Sequence, residues 1–192
     1  MARDRKFVAY RRLERPYTRK SKYRRYQYVR GTPHSKIVRF VMGSRTKTFP
    51  LSVKLVSKTD LQIRHSSLEA SRMSANRRLE KAAGKQGYYF RIHKYPHHIL
   101  RENPLASGAG ADRLSTGMKK SFGKAVGVAA QVRRGDVVIE IGCEPKHLDV
   151  AKKALNIVCS KLPNSYYIVV DKVPTGSNEV SKTHKRLPKV YE

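Results

Sequence analysis

Hydrophobic positions in the body of the chain cluster in short runs, separated by polar residues, that predict β-strands. The runs are rich in β-branched or aromatic residues and are bounded by glycine or proline, as strands between turns usually are. Residues 126–142 predict a β-hairpin that turns at Arg134 and Gly135. The other predicted strands are residues 36–42, 51–57, 88–95, 97–100 and 166–172, with Pro96 separating the third from the fourth.

A period of three to four residues predicts a helix over residues 66–85. Ser66 and Glu69 form a capping-box pattern at its start, and Gly84 follows its last apolar residue, where helices commonly end. The predicted buried stripe consists of Leu68, Ala75, Leu79 and Ala82. Off this stripe lie the polar residues Arg72, Asn76, Arg77 and Arg78, which we expect to face away from the core.

A second amphipathic helix is predicted over residues 144–163. Pro145 stands near its first turn and Pro163 follows its end, which are the positions that proline favours. Its apolar stripe consists of Leu148, Ala151, Leu155, Val158 and Leu162. A short helix is also predicted over residues 114–122. Two main helices among several strands predict an α+β fold, a compact two-layer sandwich of antiparallel or mixed strands.

The N-terminal segment lacks any hydrophobic period and carries a dense positive charge. Its first 39 residues contain 14 lysines and arginines against only Asp4 and Glu14, with tyrosines interleaved among them. We therefore divide the chain into a basic arm (residues 1–35), a folded body (36–173) and a loose C-terminal tail (174–192). The cations of the arm can neutralise phosphates while its tyrosines stack on bases. The alternative is a disordered, solvated tail.

Composition favours a nucleic-acid partner over other classes. The chain of 192 residues fits one domain, and its 42 basic and 14 acidic residues give a net charge of +28, much of it in the body. Such a surface repels itself unless a polyanion neutralises it. No apolar run approaches the roughly 20 residues of a membrane span, and no secretory signal is evident. Two isolated cysteines, Cys143 and Cys159, suit a reducing cytoplasm.

The glycine-rich stretch of residues 102–127 fails the known phosphate-loop patterns. Five residues, not four, separate Gly117 from Gly123, and Lys124 is followed by alanine instead of a magnesium-binding hydroxyl. The third glycine position of a dinucleotide fingerprint holds Arg113. We expect no cofactor and no small-molecule substrate.

Catalytic and metal chemistry is also poorly supported. The only histidine cluster, residues 93–98, is broken by Pro96 and predicts packing or phosphate contact more readily than a metal site. Acids are too few for a carboxylate pair, and we expect Glu102 and Asp112 to pair with Arg101 and Arg113. We therefore expect no catalytic and no metal site.

Between those two arginines the chain carries no bulky side chain from Ala106 to Ala111. Such a segment can enter a narrow space between polyanionic walls, and we expect the whole loop 101–113 to be mobile in the free protein. Its members from residue 106 onward are Ala106, Ser107, Gly108, Ala109, Gly110, Ala111, Asp112 and Arg113. The alternative is an ordinary flexible surface loop.

Several long strings carry a family resemblance. The strings IRHSSLEASRMSANR, YPHHILREN and SGAGADRLSTGMKKSFGKAVG resemble the archaeal–eukaryotic branch, called L-ten-e, of the universal large-subunit ribosomal protein family L-sixteen. PYTRKSKY and YVRGTPHSKIVRF resemble its N-terminal segment, so the resemblance covers residues 15–173. The chain departs from the family at Pro104 and Leu105, where a Lys-Met pair is expected, and its two ends are longer.

The resemblance implies a non-enzymatic rRNA-binding protein at the base of the central protuberance, in cytoplasmic ribosomes. It also implies neighbouring ribosomal proteins, nearby tRNA in the A and P sites, and a loop 101–113 that points towards the peptidyl transferase centre. The candidate rRNA-binding residues are Arg11, Arg12, Arg15, Arg19, Lys20, Tyr23, Arg24, Arg25, Arg30, Arg64, His65, Arg72, Asn76, Arg77, His97, His98, Lys119, Lys120 and Lys124. The alternatives are a free-standing RNA-binding or chaperone protein and an RNA-directed enzyme that uses His97 or His98.

Overall fold

The computed structural model describes residues 5–19, 21–29, 31–115 and 117–173. Within these ranges the fold is α+β, with two main helices and two antiparallel sheets, as the sequence predicts. The predicted C-terminal tail, residues 174–192, lies outside the described residues.

The larger sheet has five strands in the order β1-β4-β7-β2-β8, all antiparallel to their neighbours. Its central strands are almost fully buried, and Val53 of β2 lies opposite Ile141 of β7 and Val170 of β8. The strands are β1 (Val41–Gly43), β2 (Leu51–Ser57), β4 (Tyr88–Ile92), β7 (Val137–Cys143) and β8 (Tyr166–Lys172).

The smaller sheet has three strands in the order β3-β6-β5. Strand β6 (Lys124–Val132) is central and pairs on one side with β3 (Leu61–Arg64) and on the other with β5 (His98–Glu102). Both pairings are antiparallel. The neighbours of β6 on both sides therefore come from other parts of the chain.

Two helices, α1 (His65–Ala83) and α3 (Leu148–Lys161), pack against each other and against both sheets. Leu68 and Leu79 of α1 and Leu155 of α3 are fully buried in one core with Phe90 of the larger sheet and Ile63 of the smaller. Burying each of these large side chains contributes roughly 1.5–3 kcal/mol. This single core holds the two sheets and the helices together.

The predicted β-hairpin is wrong in its pairing although its turn is present. Gly135 adopts a left-handed backbone with φ of 84°, and the Asp136 N–H donates to the Arg133 carbonyl at 3.1 Å. The strands on either side nevertheless enter different sheets. The turn itself is held by the end of β2, because the Gly135 N–H donates to the Ser57 carbonyl at 2.9 Å. Pairing with distant strands therefore outweighs local hairpin pairing.

Other element boundaries also differ from the predicted ones. Residues 36–40 lie outside β1, and the four-residue strand β3 has no counterpart in the prediction. In place of one helix over 114–122 the chain forms the short helix α2 (Ala111–Leu114) and a 3-10 turn, Met118–Lys120. Strands β2 and β8 have the predicted bounds.

The capping box at the start of α1 does not form. The helix begins at His65 with Arg64 as its N-cap and no side-chain cap, while both oxygens of Glu69 bind Arg72 instead. Its predicted stripe is correct at three positions, but Ala82 is exposed. The end is as predicted, since Gly84 has φ of 70° and donates to the Glu80 carbonyl.

Candidate nucleic-acid interface

The basic arm lies along the three-stranded sheet. The Tyr17 N–H donates to Nδ1 of His98 at 2.9 Å, and the Ile99 N–H of β5 donates back to the Tyr17 carbonyl at 3.3 Å. Apart from two short 3-10 turns, the described arm has no helix or strand of its own, as predicted. The arm is therefore held by the sheet instead of by internal structure.

Two apolar side chains fix the arm to the sheet. Tyr10 is 8% exposed and packs on Leu100, and Val29 is 3% exposed and packs on Ile99 and Val128. Burial of this depth contradicts the alternative of a solvated tail for the described parts of the arm.

Glutamines in the sheet bind the backbone of the arm between these contacts. The Gln131 amide donates to the Glu14 carbonyl at 2.7 Å, and the Gln62 amide donates to the Arg12 carbonyl. These bonds satisfy arm carbonyls that have no ladder partner, so the arm keeps a defined path with its side chains free to point outward.

Glu102, at the end of β5, is the anchor for the start of the arm. One carboxylate oxygen accepts the Tyr10 hydroxyl at 2.5 Å and the other contacts Nε of Arg5 at 2.7 Å. The predicted pairing of Glu102 with Arg101 is therefore wrong. A partner from the far end of the chain takes the carboxylate because the arm crosses β5 at this point.

Arg101 instead forms a cluster with two aromatic rings. Its guanidinium lies 4.1 Å from the ring centre of Phe122 and 4.8 Å from that of Tyr17, and it donates to the Phe122 carbonyl at 2.7 Å. The two rings meet edge to face with their centres 5.6 Å apart. Phe122 remains 63% exposed. Sequence reasoning missed Phe122, although an aromatic residue among lysines and glycines, KKSFGK, was a usable signal.

The outward surface of the arm carries exposed cations and tyrosines. Guanidinium groups lie over tyrosine rings, with Arg25 4.5 Å from the centre of Tyr26 and Arg19 4.8 Å from that of Tyr28. Such contacts orient the long side chains without neutralising their charge. The candidate residues of the arm that the structure shows exposed are Arg11, Arg12, Arg15, Arg19, Tyr23, Arg24 and Arg25. Lys20 and Arg30 lie outside the described residues.

Four candidate residues of the body are engaged in internal contacts. Nδ1 of His98 accepts the Tyr17 N–H, and burial lowers the pKa of this histidine. Nδ1 of His65 likewise accepts a backbone N–H, that of Lys36, at 3.0 Å. Both residues were named as rRNA-binding candidates. In the structure both rings face the chain that crosses them, which for His98 agrees with the packing that its cluster also predicted.

The polar face of α1 contains candidate residues of two kinds, those bound to other parts of the chain and those exposed. Arg72 is half-buried and binds Glu69 through two nitrogens at 2.6 and 2.9 Å, which raises the pKa of this guanidinium. The Asn76 carbonyl oxygen accepts the Tyr88 hydroxyl at 2.5 Å. Both lie off the buried stripe as expected, and both also hold α1 to its surroundings. Arg77 and Arg78 are exposed as expected.

The remaining candidates of the body lie near the smaller sheet or the arm. Arg64 donates to the Arg5 carbonyl at 2.8 Å, and His97 is exposed with Nδ1 3.0 Å from the Tyr95 carbonyl oxygen. Lys119 and Lys124 are exposed beside Phe122 in sequence. The side chains of Lys120 and Asp112 lie outside what the structure describes.

The glycine-rich loop is shorter than the predicted range. Arg101 belongs to β5 and residues 111–114 form α2, which leaves residues 103–110 as the connection. A Cβ on Gly108 or Gly110 would meet no atom of the described residues within 4 Å, so no described part of the chain fills this space. Their φ values of 112° and 80° nevertheless strain any residue with a side chain. Ser107, Ala109 and Arg113 are exposed, and Ala106 and Ala111 are half-buried.

The described residues contain neither a cluster of metal ligands nor a helix that could span a membrane. No three histidine, cysteine, aspartate or glutamate side chains there converge as metal ligands would. In the same part of the chain, every helix is too short or too polar to cross a bilayer.

Comparison with known proteins identifies the family. The model of the family Ribosomal protein L16p/L10e matches residues 16–169, most of the chain. The chain belongs to this family. This confirms the resemblance seen in the sequence, and the arm, the smaller sheet and the glycine-rich connection all lie mostly within the matched range of the L16p/L10e fold.

Curated archaeal relatives in the L16p/L10e family are similar over nearly their whole length. A protein of Methanococcus maripaludis strain S2 is 50% identical over 164 residues, which are 85% of this chain and 91% of that one. A protein of Archaeoglobus fulgidus is 43% identical over 163 residues, 85% and 90% of the two chains. Both are named large ribosomal subunit protein uL16.

Proposed function

We propose that this protein is a structural constituent of the large ribosomal subunit and binds ribosomal RNA mainly through the basic arm. The observation that carries this is the arm itself, because the sheet fixes its backbone while its cations stay exposed. Fixed cations neutralise phosphates with less ordering cost than those of a free tail. The relatives' names supply the large subunit as the setting.

The RNA-binding surface that we propose extends from the arm to one side of the body. It includes the exposed cations Arg77, Lys119 and Lys124 and the exposed ring of His97. It leaves out His65, His98, Arg72 and Asn76 as direct contacts, because their polar groups already bind other parts of the chain. These four residues support the surface by fixing the elements that carry it.

We also propose that the connection 103–110 points towards the peptidyl transferase centre and contacts tRNA in the A and P sites. Support comes from the family resemblance and from the open space around Gly108 and Gly110. A segment without bulk, followed by the exposed Arg113, can approach RNA backbones closely. We expect this segment to be mobile in the free protein and ordered by RNA.

A single bulky residue tests the connection. Ala109 is exposed and has no left-handed backbone, so Ala109→Phe adds volume without straining the chain. We expect an unchanged melting temperature and slower peptide-bond formation by ribosomes that carry this variant. Ala82→Phe, at an exposed position of α1, is the matched control and should leave both unchanged. Normal peptide-bond formation with Ala109→Phe would exclude a role for this loop near the reaction centre.

Co-sedimentation tests the proposed function as a whole. A tagged copy expressed in Methanococcus maripaludis should sediment with large subunits and remain bound through a high-salt wash. A free-standing RNA-binding or chaperone protein, the alternative, would be released by that wash or would not sediment with subunits. An RNA-cleavage assay on the purified protein addresses the enzymatic alternative, in which His97 would have to act alone because His98 is buried.

A further inference from the structure

The arm and the start of β6 enclose a cleft of about 790 Å³. One wall is the arm, with Tyr17, Gln27 and Tyr28, and the other is the segment from Phe122 to Lys124. The Tyr17 hydroxyl donates to the Tyr28 carbonyl at 2.7 Å, so this bond joins two segments of the arm wall. The cleft is therefore a formed feature whose walls come from distant parts of the chain.

Phe122 is the unusual residue of this cleft. Its ring is held by the Arg101 guanidinium over the ring at 4.1 Å and by the edge of Tyr17, yet the side chain is 63% exposed. A phenylalanine that is fixed in place but left in water gains little stability from burial. A fixed, exposed ring backed by a guanidinium is, however, a good platform on which another flat ring can stack.

We propose that this cleft binds one unpaired nucleobase of single-stranded RNA, stacked on Phe122. The inference rests on the proposed function and adds to it the form of RNA that this site takes. A base in a duplex is already stacked and paired, so only an unpaired base can enter.

Charge favours RNA over a protein partner at this site. Lys124 is exposed on the wall of the cleft next to Phe122, where it can meet the phosphate of the inserted nucleotide. Arg19 and Arg101 add guanidinium groups to the tyrosine and phenylalanine rings around the cleft. With a net charge of +28 on the chain, a polyanion is attracted to this surface where an apolar peptide is not.

The test compares RNA with and without bases. Binding of the full-length protein to fluorescein-labelled oligouridylate and to an abasic RNA of equal length is measured by anisotropy. We expect Phe122→Ala to weaken oligouridylate binding by roughly 5- to 150-fold and to leave abasic RNA unaffected, since stacking needs the base. Phe122→Tyr keeps a ring and should retain wild-type affinity. Met118→Ala, at a residue that is 69% exposed, is the matched control and should change neither affinity.

The other possible outcomes distinguish failure of the nucleobase site from failure of the proposed function. An equal loss on both RNAs, or none on either, would overturn the nucleobase site while the wild-type protein still binds RNA. In the second case Phe122 becomes a candidate contact for a protein partner. If the wild-type protein binds neither RNA, the proposed function itself fails. A melting curve of Phe122→Ala that matches the wild type confirms that the arm is still docked.

Discussion

Two glycines that flank the Met118–Lys120 turn both have a positive φ but differ in their surroundings. Gly117 has φ of 65° and open space where a Cβ would point. Gly123 has φ of 79°, and a Cβ there would lie 2.9 Å from the carbonyl carbon and oxygen of Glu102. The backbone of β5 thus needs a glycine at Gly123 in order to approach this closely.

Alanine substitutions at Gly117 and Gly123 test this close approach of β5. Both variants place a side chain at positive φ, and only Gly123→Ala also brings a Cβ against the backbone of β5. We expect Gly123→Ala to lower the free energy of unfolding by about 1–3 kcal/mol more than Gly117→Ala does. Urea denaturation measures both. Equal losses would mean that β5 moves aside at no cost.

Glu140, on β7, is bound by neighbouring side chains through both of its carboxylate oxygens. One oxygen accepts the Ser52 hydroxyl and the other pairs with Nε2 of His93, each at 2.7 Å. The pKa of Glu140 is lowered to about 2, mainly by the hydrogen bond from His93 and also by Ser52 and Lys54, against the opposing effect of burial. Its usual value is 4.5.

This shift predicts an acid-sensitive contribution to stability. Because the pKa is lower in the folded state, the contribution is complete above about pH 4.5 and is lost as the pH falls towards 2. We expect about 2–3 kcal/mol to disappear over this window. Glu140→Gln should flatten the pH dependence measured by urea denaturation. Glu144→Gln, at an exposed carboxylate paired with Lys146, is the control and should leave the profile close to wild type.

At the scale of elements, helix α1 carries a structural cation, Arg72, and an exposed cation, Arg77, that we propose binds RNA. Arg72 is held by Glu69 and also contacts Met42 of β1, whereas Arg77 one turn later is exposed. Replacing Arg72 leaves the Glu69 carboxylate without its partner in a half-buried site. The two arginines therefore play different roles although both lie off the apolar stripe.

Three variants of α1 test this division. We expect Arg77→Ala to weaken rRNA binding with little change in melting temperature, and Arg72→Ala to cost about 1–3 kcal/mol of stability. Leu79→Ala should cost about 2–5 kcal/mol, because the side chain is fully buried. Thermal melts and filter binding to rRNA fragments give both quantities. A stability loss from Arg77→Ala as large as that from Arg72→Ala would contradict the division.

At the scale of the whole molecule, we expect the net charge of +28 to supply most of the RNA-binding energy. Truncating the arm would expose Ile99 and Val128 of the smaller sheet, so it removes charge and core together. Neutralising the arm is the cleaner change, because it keeps Tyr10, Tyr17 and Val29 in place. The residues to replace by glutamine are Arg11, Arg12, Arg15, Arg24 and Arg25, all exposed.

The salt dependence of rRNA binding measures the result. Each phosphate contact contributes about 0.7 to the slope of log affinity against log salt for single strands. The variant with all five replacements should therefore reduce the magnitude of this slope by up to about 3.5. Glutamine at Lys152, Lys153 and Lys161 of α3, outside every proposed contact, is the control and should change the slope less per charge. Equal changes per charge would show that binding follows net charge instead of the arm.

Local pattern in the sequence was sufficient for the two main helices, for β2 and β8, and for the family. Each of these depends on signals within one segment, such as an apolar stripe, a terminal glycine or a characteristic string. The positive charge likewise follows from composition alone, and with it the expectation of a polyanionic partner. These properties require no knowledge of which segments meet.

Only the tertiary structure decided which segments meet. The separation of β6 and β7 into different sheets, the pairing of Glu102 with Arg5, and the inward orientation of His98 all depend on contacts across many residues of chain. The same holds for the cleft at Phe122, whose walls are about 100 residues apart in sequence. A local pattern states what a residue prefers to bury or expose. It cannot state the partner, because partner choice is settled by the competition of all segments for one shared core.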